Sequence, residues 1–290
     1  MKLEITKELL EKYVQHLKDE EKSRGTIEKY LRDVRGFGVW LASETETKSE
    51  VAGTELSVDL ITRWREHLKA SGYGASTINS MLGAVNSFLR FLGRDDCRAK
   101  YLRIQHRMFR TECRQLSKPE YEILLGEAER AGKLRLAMLM ETICATGIRV
   151  SEVRHITVEA ARRGQAEIAL KGKIRTILLP KRLARKLLSY AKKQKIVSGE
   201  IFLTRNGHSL SRKQIWQEMK ELCARAGIAA SKVFPHNLRH LFATTFYGLY
   251  QDIVRLADVL GHSSMETTRI YLMTPEREHA RQLEQMGLVT

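Results

Sequence analysis

Apolar residues in the first hundred positions recur at helical spacing, and four separate stripes can be followed. Leu9, Leu10, Tyr13, Val14 and Leu17 follow Thr6, a good helix cap, and predict a helix ending near Glu20. After a polar break over 22–25, Ile27, Tyr30, Leu31, Val34, Phe37 and Leu41 predict a second helix from about Thr26. Residues 43–53 are rich in Glu, Thr and Ser and predict a loop. Ser57 opens a third helix with Leu60, Ile61, Trp64 and Leu68 inward. A fourth starts at Ser76 or Thr77 and carries Ile78, Leu82, Val85, Phe88, Leu89 and Leu92. No alternating strand pattern occurs in this region, so it predicts a small helical bundle.

The pattern then becomes mixed. Ser117-Lys-Pro-Glu120 predicts a capped helix with proline in its first turn, and an apolar helix over 134–144 is stopped by Gly147. A short helical stretch from Val150 follows. Residues 166–170 and 176–179 predict strands joined over 171–174, and the run 156–158 would extend them into a small antiparallel sheet. Helices are predicted over 181–194, 211–226, 236–249, 251–260, 264–273 and 275–286, with Pro119, Pro180, Pro235 and Pro275 at element edges. The chain therefore reads as mainly α with a small antiparallel β-sheet. Its expected parts are a helical domain over 1–100, a basic linker over 101–116 and a mixed domain over 117–290.

Charge changes the picture. The 290 residues carry a net charge of +16, and the sequence pI of about 9.8 favours a polyanionic partner. Residues 1–110 hold 20 basic and 16 acidic side chains, a surplus of +4, which leaves +12 to the remainder. Arginines and lysines recur every two to four residues from Arg90 to Arg114, where a linker along DNA would need to neutralise phosphates. Cys97, Cys113, Cys144 and Cys223 show no paired spacing and read as reduced thiols of a cytoplasmic protein, without a zinc site. No apolar run approaches the roughly 18 residues of a membrane span, and no signal-peptide pattern opens the chain.

The chemistry-bearing residues lie in the mixed part. Ala145-Thr-Gly-Ile-Arg-Val-Ser-Glu152 puts Arg149 just after a glycine break. Lys171-Gly-Lys173 sits between the predicted strands. Phe234-Pro-His-Asn-Leu-Arg-His240 places His236 and Arg239 at i, i+3 at a helix start, where an anion is favoured. Leu260-Gly-His262 and then Tyr271 complete the series. Two fixed cations, two imidazoles and one phenol suit phosphoryl transfer through a covalent phosphotyrosine. A phenol, with a pKa of about 10, is a poor nucleophile at neutral pH. Guanidinium and imidazole groups converging on a phosphate would stabilise charge on its oxygens and on the phenolate. There is no Walker-type loop, and cationic side chains take the role a metal would have.

Taken together, these motifs resemble those of the tyrosine recombinases (the phage-integrase family), especially the compact bacterial XerC/XerD-like members. Thr26-Ile-x-x-Tyr30 with Phe37 and Trp40-Leu41, and Ala75-Ser-Thr-Ile-Asn79 leading to Ser87-Phe-Leu-Arg-Phe91, are similar to that family's helical core-binding (SAM-like) DNA-binding domain. The resemblance implies that Arg149, His236 and Arg239 contact the scissile phosphate and that Lys171 protonates the leaving 5′-oxygen, with Lys173 as the alternative. It also places His262 in the third motif, makes Tyr271 the nucleophile and leaves Glu152 and His240 as supporting residues. It further implies a specific double-stranded DNA site, a homotetramer on two sites, a Holliday junction, and no cofactor or metal. The expected task is integration or excision of a mobile element or dimer resolution, with or without a second recombinase or accessory protein. Two other readings stay open: a non-catalytic DNA-binding regulator of the same fold, and type IB topoisomerase-like relaxation.

Overall fold

The computed structural model describes residues 5–47, 56–104, 115–170, 173–262, 264–269, 271, 281 and 284–286. The chain divides into two compact units, Met1–His106 and Arg107–Thr290.

The first unit is helical throughout its described elements: α1 (Lys7–Asp19), α2 (Arg24–Thr47), α3 (Val58–Ala70) and α4 (Ala75–Phe91), followed by one 3₁₀ turn over Asp95–Cys97. Thr6 and Ser57 cap α1 and α3, their hydroxyls accepting from the amides of Leu9 and Leu60. The stripes meet in one core in which Tyr13, Leu17, Phe37, Trp64 and Phe88 are at most 1% exposed. Tyr13 meets Phe88 edge to face at 5.0 Å, and Phe37 meets Trp64 likewise at 5.2 Å. Two boundaries differ from the sequence pattern. α4 starts one residue early, with Gly74 as its cap. α2 continues through the polar run to Thr47, where Glu44 pairs with Arg63 of α3 at 3.3 Å. A tertiary ion pair thus extends a helix that local composition would end.

In the second unit α5 (Lys118–Arg130) begins with the expected capping box between Ser117 and Glu120. α6 (Leu134–Thr146) packs against α5, α8 (Lys181–Lys193), α9 (Arg212–Ala226) and α10 (Pro235–Tyr250), and its Leu139, Met140 and Ile143 are almost fully buried. A 3₁₀ turn over Val150–His155 leads to α7 (Val158–Arg163). The sheet has two antiparallel strands, β1 (Gln165–Leu170) and β2 (Lys173–Leu178). The predicted third strand over 156–158 does not join them. Thr157 forms an isolated bridge with Glu200, and its hydroxyl caps α7, so the extended run is cut short by a helix start. β2 begins three residues earlier than the pattern suggested, and Leu170 pairs with Lys173.

α11 (Ile253–Leu260) and α12 (Met265–Arg269) close the described fold. α12 is shorter than predicted, and Tyr271 lies in a turn beyond it, its amide donating to Thr268 O at 3.0 Å. Most of the helix expected over 275–286, together with Lys171, Cys113 and the greater part of the 101–116 linker, lies outside the described residues. Among the described residues no helix is long and apolar enough to cross a membrane.

Candidate active site

The site is built around the C-terminal end of α11. Three successive carbonyls there each accept from a different arginine. Val259 O accepts from Arg175 Nη2 at 2.7 Å, Leu260 O from Arg239 Nη2 at 2.8 Å and Gly261 O from Arg149 Nη2 at 3.3 Å. The last carbonyls of a helix lack intrahelical partners and form the negative end of its dipole, so this is a favourable place for cations. Arg239 also reaches Gly147 O, the C-cap of α6, at 2.5 Å. A guanidinium only 3% exposed is thus held between two helix C-termini, which offsets the penalty of burying its charge.

The backbone is shaped to allow this. Gly147 and Gly261 have φ of +64° and +62°, and each ends its helix in the left-handed region. A Cβ on Gly147 would lie 2.5 Å from Phe242 Cδ1, and one on Gly261 would lie 2.4 Å from Arg175 Cδ. Both glycines are therefore fixed by packing as well as by dihedral angle.

Glu152, 1% exposed, is the acidic partner of the cluster. Its carboxylate accepts from the Arg149 backbone at 2.8 Å, the Arg149 guanidinium at 2.9 Å and Arg175 Nη1 at 3.3 Å. Burial and the neighbouring Arg239 and Arg149 push the Arg175 guanidinium down to about 10, with Glu152 acting against them, so it stays cationic at neutral pH. Arg149 keeps 42% of its side chain exposed and offers the accessible end of the cluster.

His262 follows directly. Its Nε2 lies 2.8 Å from Arg239 Nη2, and its Nδ1 lies 2.9 Å from Thr268 Oγ1. Guanidinium can only donate, so Nε2 accepts and the proton resides on Nδ1. Burial, then Arg239, Arg149, Arg175 and His236, pull this imidazole down to about 4. It is neutral at physiological pH.

Tyr271 is 4% exposed and packs with Ala243, Leu256 and Leu260. Three imidazoles surround its ring: His240 edge-on at 5.1 Å, His262 nearly parallel at 5.9 Å and His236 at 6.3 Å. Its phenol raises the Arg239 guanidinium's pKa, against the larger lowering by burial and Arg149. His236 is exposed in the first turn of α10, just after Pro235, whereas His240 is buried one turn on.

Arg149, His236, Arg239, His262 and Tyr271 thus come together from four separate segments. Lys171 lies outside the described residues; Lys173 opens β2. Arg175 is the member that the motif reading missed. Its strand partner is Ile168, and both Ile168 and the next same-face residue, Ile177, are buried. An arginine at a core-facing strand position was the available signal. Among the described residues no His, Cys, Asp and Glu cluster is arranged to hold a metal ion.

A convergent set of arginines and imidazoles thus packs around one tyrosine, on a helical framework with one hairpin. The phage integrase family model matches residues 114–277, and the phage integrase N-terminal SAM-like domain matches residues 10–96. The chain is similar to tyrosine recombinase XerA of Pyrococcus furiosus, 29% identical over 292 residues covering 98% of this chain and 96% of that protein. Tyrosine recombinase XerD of Xanthomonas axonopodis pv. citri is 30% identical over 284 residues, covering 90% of each. The fold resembles that of the XerH site-specific recombinase bound to difH substrate in a pre-cleavage complex, with a TM-score of 0.70, 19% identity and coverage of 95% and 84%. The chain belongs to the phage integrase family, as a tyrosine site-specific recombinase of the Xer type.

Proposed function

We propose that this recombinase cuts and rejoins a specific double-stranded DNA site with Tyr271 as nucleophile. The observation that carries the reading is the seating of Arg149, Arg239 and Arg175 on consecutive carbonyls beside the Tyr271 ring. The Tyr271 oxygen bonds to phosphorus as the bond to the 5′-oxygen breaks, leaving a 3′-phosphotyrosine. The phenolic proton passes to His236, the exposed imidazole beside the ring. Lys171, which follows β1 in the sequence, supplies a proton to the departing 5′-oxygen. Arg149 and Arg239 hold the non-bridging oxygens, where fixed cations in a sheltered site lower the barrier most.

His262 stays neutral and orients Arg239. Because Tyr271 is 4% exposed in the free chain, DNA binding has to bring the ring and the phosphate into contact. The bond energy is retained in the phosphotyrosine, so a 5′-hydroxyl from a second duplex can reverse the step without ATP. On this reading the protein works in the cytoplasm, four copies act on two sites, and exchange passes through a Holliday junction. Residues 1–100 are the core-binding domain, 101–116 the basic linker and 117–290 the catalytic domain.

The test uses two plasmids carrying the DNA site recovered by covalent capture. Exchange between them, with branched intermediates on a native gel, is the expected result. Relaxation of a plasmid lacking the site, without exchange, would instead favour the topoisomerase-like reading.

A further inference from the structure

Arg175 stands outside the motifs yet meets the cluster at Glu152, Val259 O and Gly261. It leaves β2, passes beneath Gly261, donates to Val259 O and shares the buried carboxylate of Glu152 with Arg149. Its side chain is 14% exposed, so it is held away from the surface where Arg149 emerges. A buried carboxylate paired with Arg149 alone would cancel that arginine's charge. With Arg175 as the second partner, the three groups together retain one positive charge. Arg175 also packs under the turn whose next residue is His262: its Cδ occupies the space a Gly261 Cβ would need, and its Nη2 donates to Val259 O.

We infer that Arg175 is a positioning residue for strand cleavage. It neutralises Glu152 so that Arg149 meets the phosphate as a full cation, and it locks the strand bearing it to the Gly261–His262 turn. This rests on the recombinase reading of the site and names a residue through which it works. Arg175 need not touch the phosphate, because its two Nη nitrogens face Glu152 and Val259 O and its Nε is buried. The same contacts couple the hairpin to the phosphate clamp, so the strand cannot shift without disturbing Arg149.

The test uses the full chain and a nicked duplex carrying the target site. Wild type, Arg175→Met, Arg175→Lys and the double variant Arg175→Met/Glu152→Gln are compared. Each is read for its rate of covalent attachment at saturating DNA, its affinity and its melting temperature. Arg175→Met should lower the saturating rate by about 100-fold, the scale of losing one preorganised charge contact, with affinity little changed. The double variant should recover at least about tenfold of that loss, because a neutral amide in place of the Glu152 carboxylate no longer cancels Arg149. A brace without an electrostatic role predicts that the double variant is no faster than Arg175→Met, and that result overturns the inference. So does an unchanged rate in Arg175→Met, or a loss seen only as weaker binding.

If Arg175→Met is unfolded at the assay temperature, Arg175→Lys decides. It keeps the charge and should cleave within about tenfold of wild type; a fall to the level of Tyr271→Phe contradicts the inference. An absence of adduct in wild type would count against the recombinase site itself rather than against Arg175.

Discussion

The two units solve the problem of burial differently. In the first, the core is aliphatic and aromatic; among the described residues its buried polar side chains are Asp33, paired with Lys29 at 2.6 Å, and Asn86, donating to Ala99 O at 3.0 Å. In the second, Glu152, Arg239 and His240 are all at most 6% exposed and gather at one place. Burying charge opposes folding unless each group finds partners; two helix C-termini supply them for Arg239, and Arg149 and Arg175 supply them for Glu152. The contrast separates a unit arranged for packing from one that sacrifices some packing for chemistry. Two glycines mark the extremes: Gly147 is enclosed by Phe242 and Leu260, whereas Gly36 of α2 faces open space.

That difference can be broken from either side. The largest effect should come from Trp64→Ala in the first core. Trp64 is 1% exposed and meets Phe37 edge-on, so its loss should cost about 3–5 kcal/mol in urea denaturation. A loss below about 1 kcal/mol would mean that this core is not the packing unit described. Gly147→Ala should come next, at about 1–3 kcal/mol, since it adds a left-handed alanine and a contact that Phe242 must yield to. Cleavage should fall with it, because Gly147 O holds Arg239.

A smaller effect should appear with pH. His262 is held at about 4 in the folded chain against an ordinary value of 6.5. Between those values the unfolded chain binds a proton that the folded chain does not. Its contribution to stability is therefore full above pH 6.5 and is lost as pH falls toward 4. His262→Asn should flatten the melting-temperature profile across that window; an unchanged slope would count against the buried, cation-flanked imidazole. Smallest of all, Gly36→Ala should stabilise by about 0.5–1 kcal/mol through helix propensity, the opposite sign to Gly147→Ala.

Much of this was legible because burial and periodicity agree. Leu60, Ile61, Trp64 and Leu68 fall on one stripe and are all buried behind the Ser57 cap. Ser117 and Glu120 form the capping box their spacing predicts, and Gly147 stops α6. Long-range partners account for the departures. The extension of α2 involves Arg63 of another helix, and the 156–158 run pairs with Glu200 instead of the hairpin. For the site, the motifs picked out the side chains that meet around Tyr271, but not the device that seats them. Consecutive carbonyls at the end of α11 belong to the backbone and leave no mark on residue type. Arg175 did leave one, as a cation alternating with Ile177 on the buried face of β2, but recognising it depends on the strand's register.

The most direct measurement is covalent capture on a library of nicked DNA duplexes, followed by denaturation, recovery of protein-linked DNA and mapping of the modified peptide. DNA should be attached through its 3′-phosphate to Tyr271, with none in Tyr271→Phe, which should still bind the same duplexes. Tight, salt-sensitive binding with no adduct, or an adduct on Tyr247 or Tyr250, would contradict it.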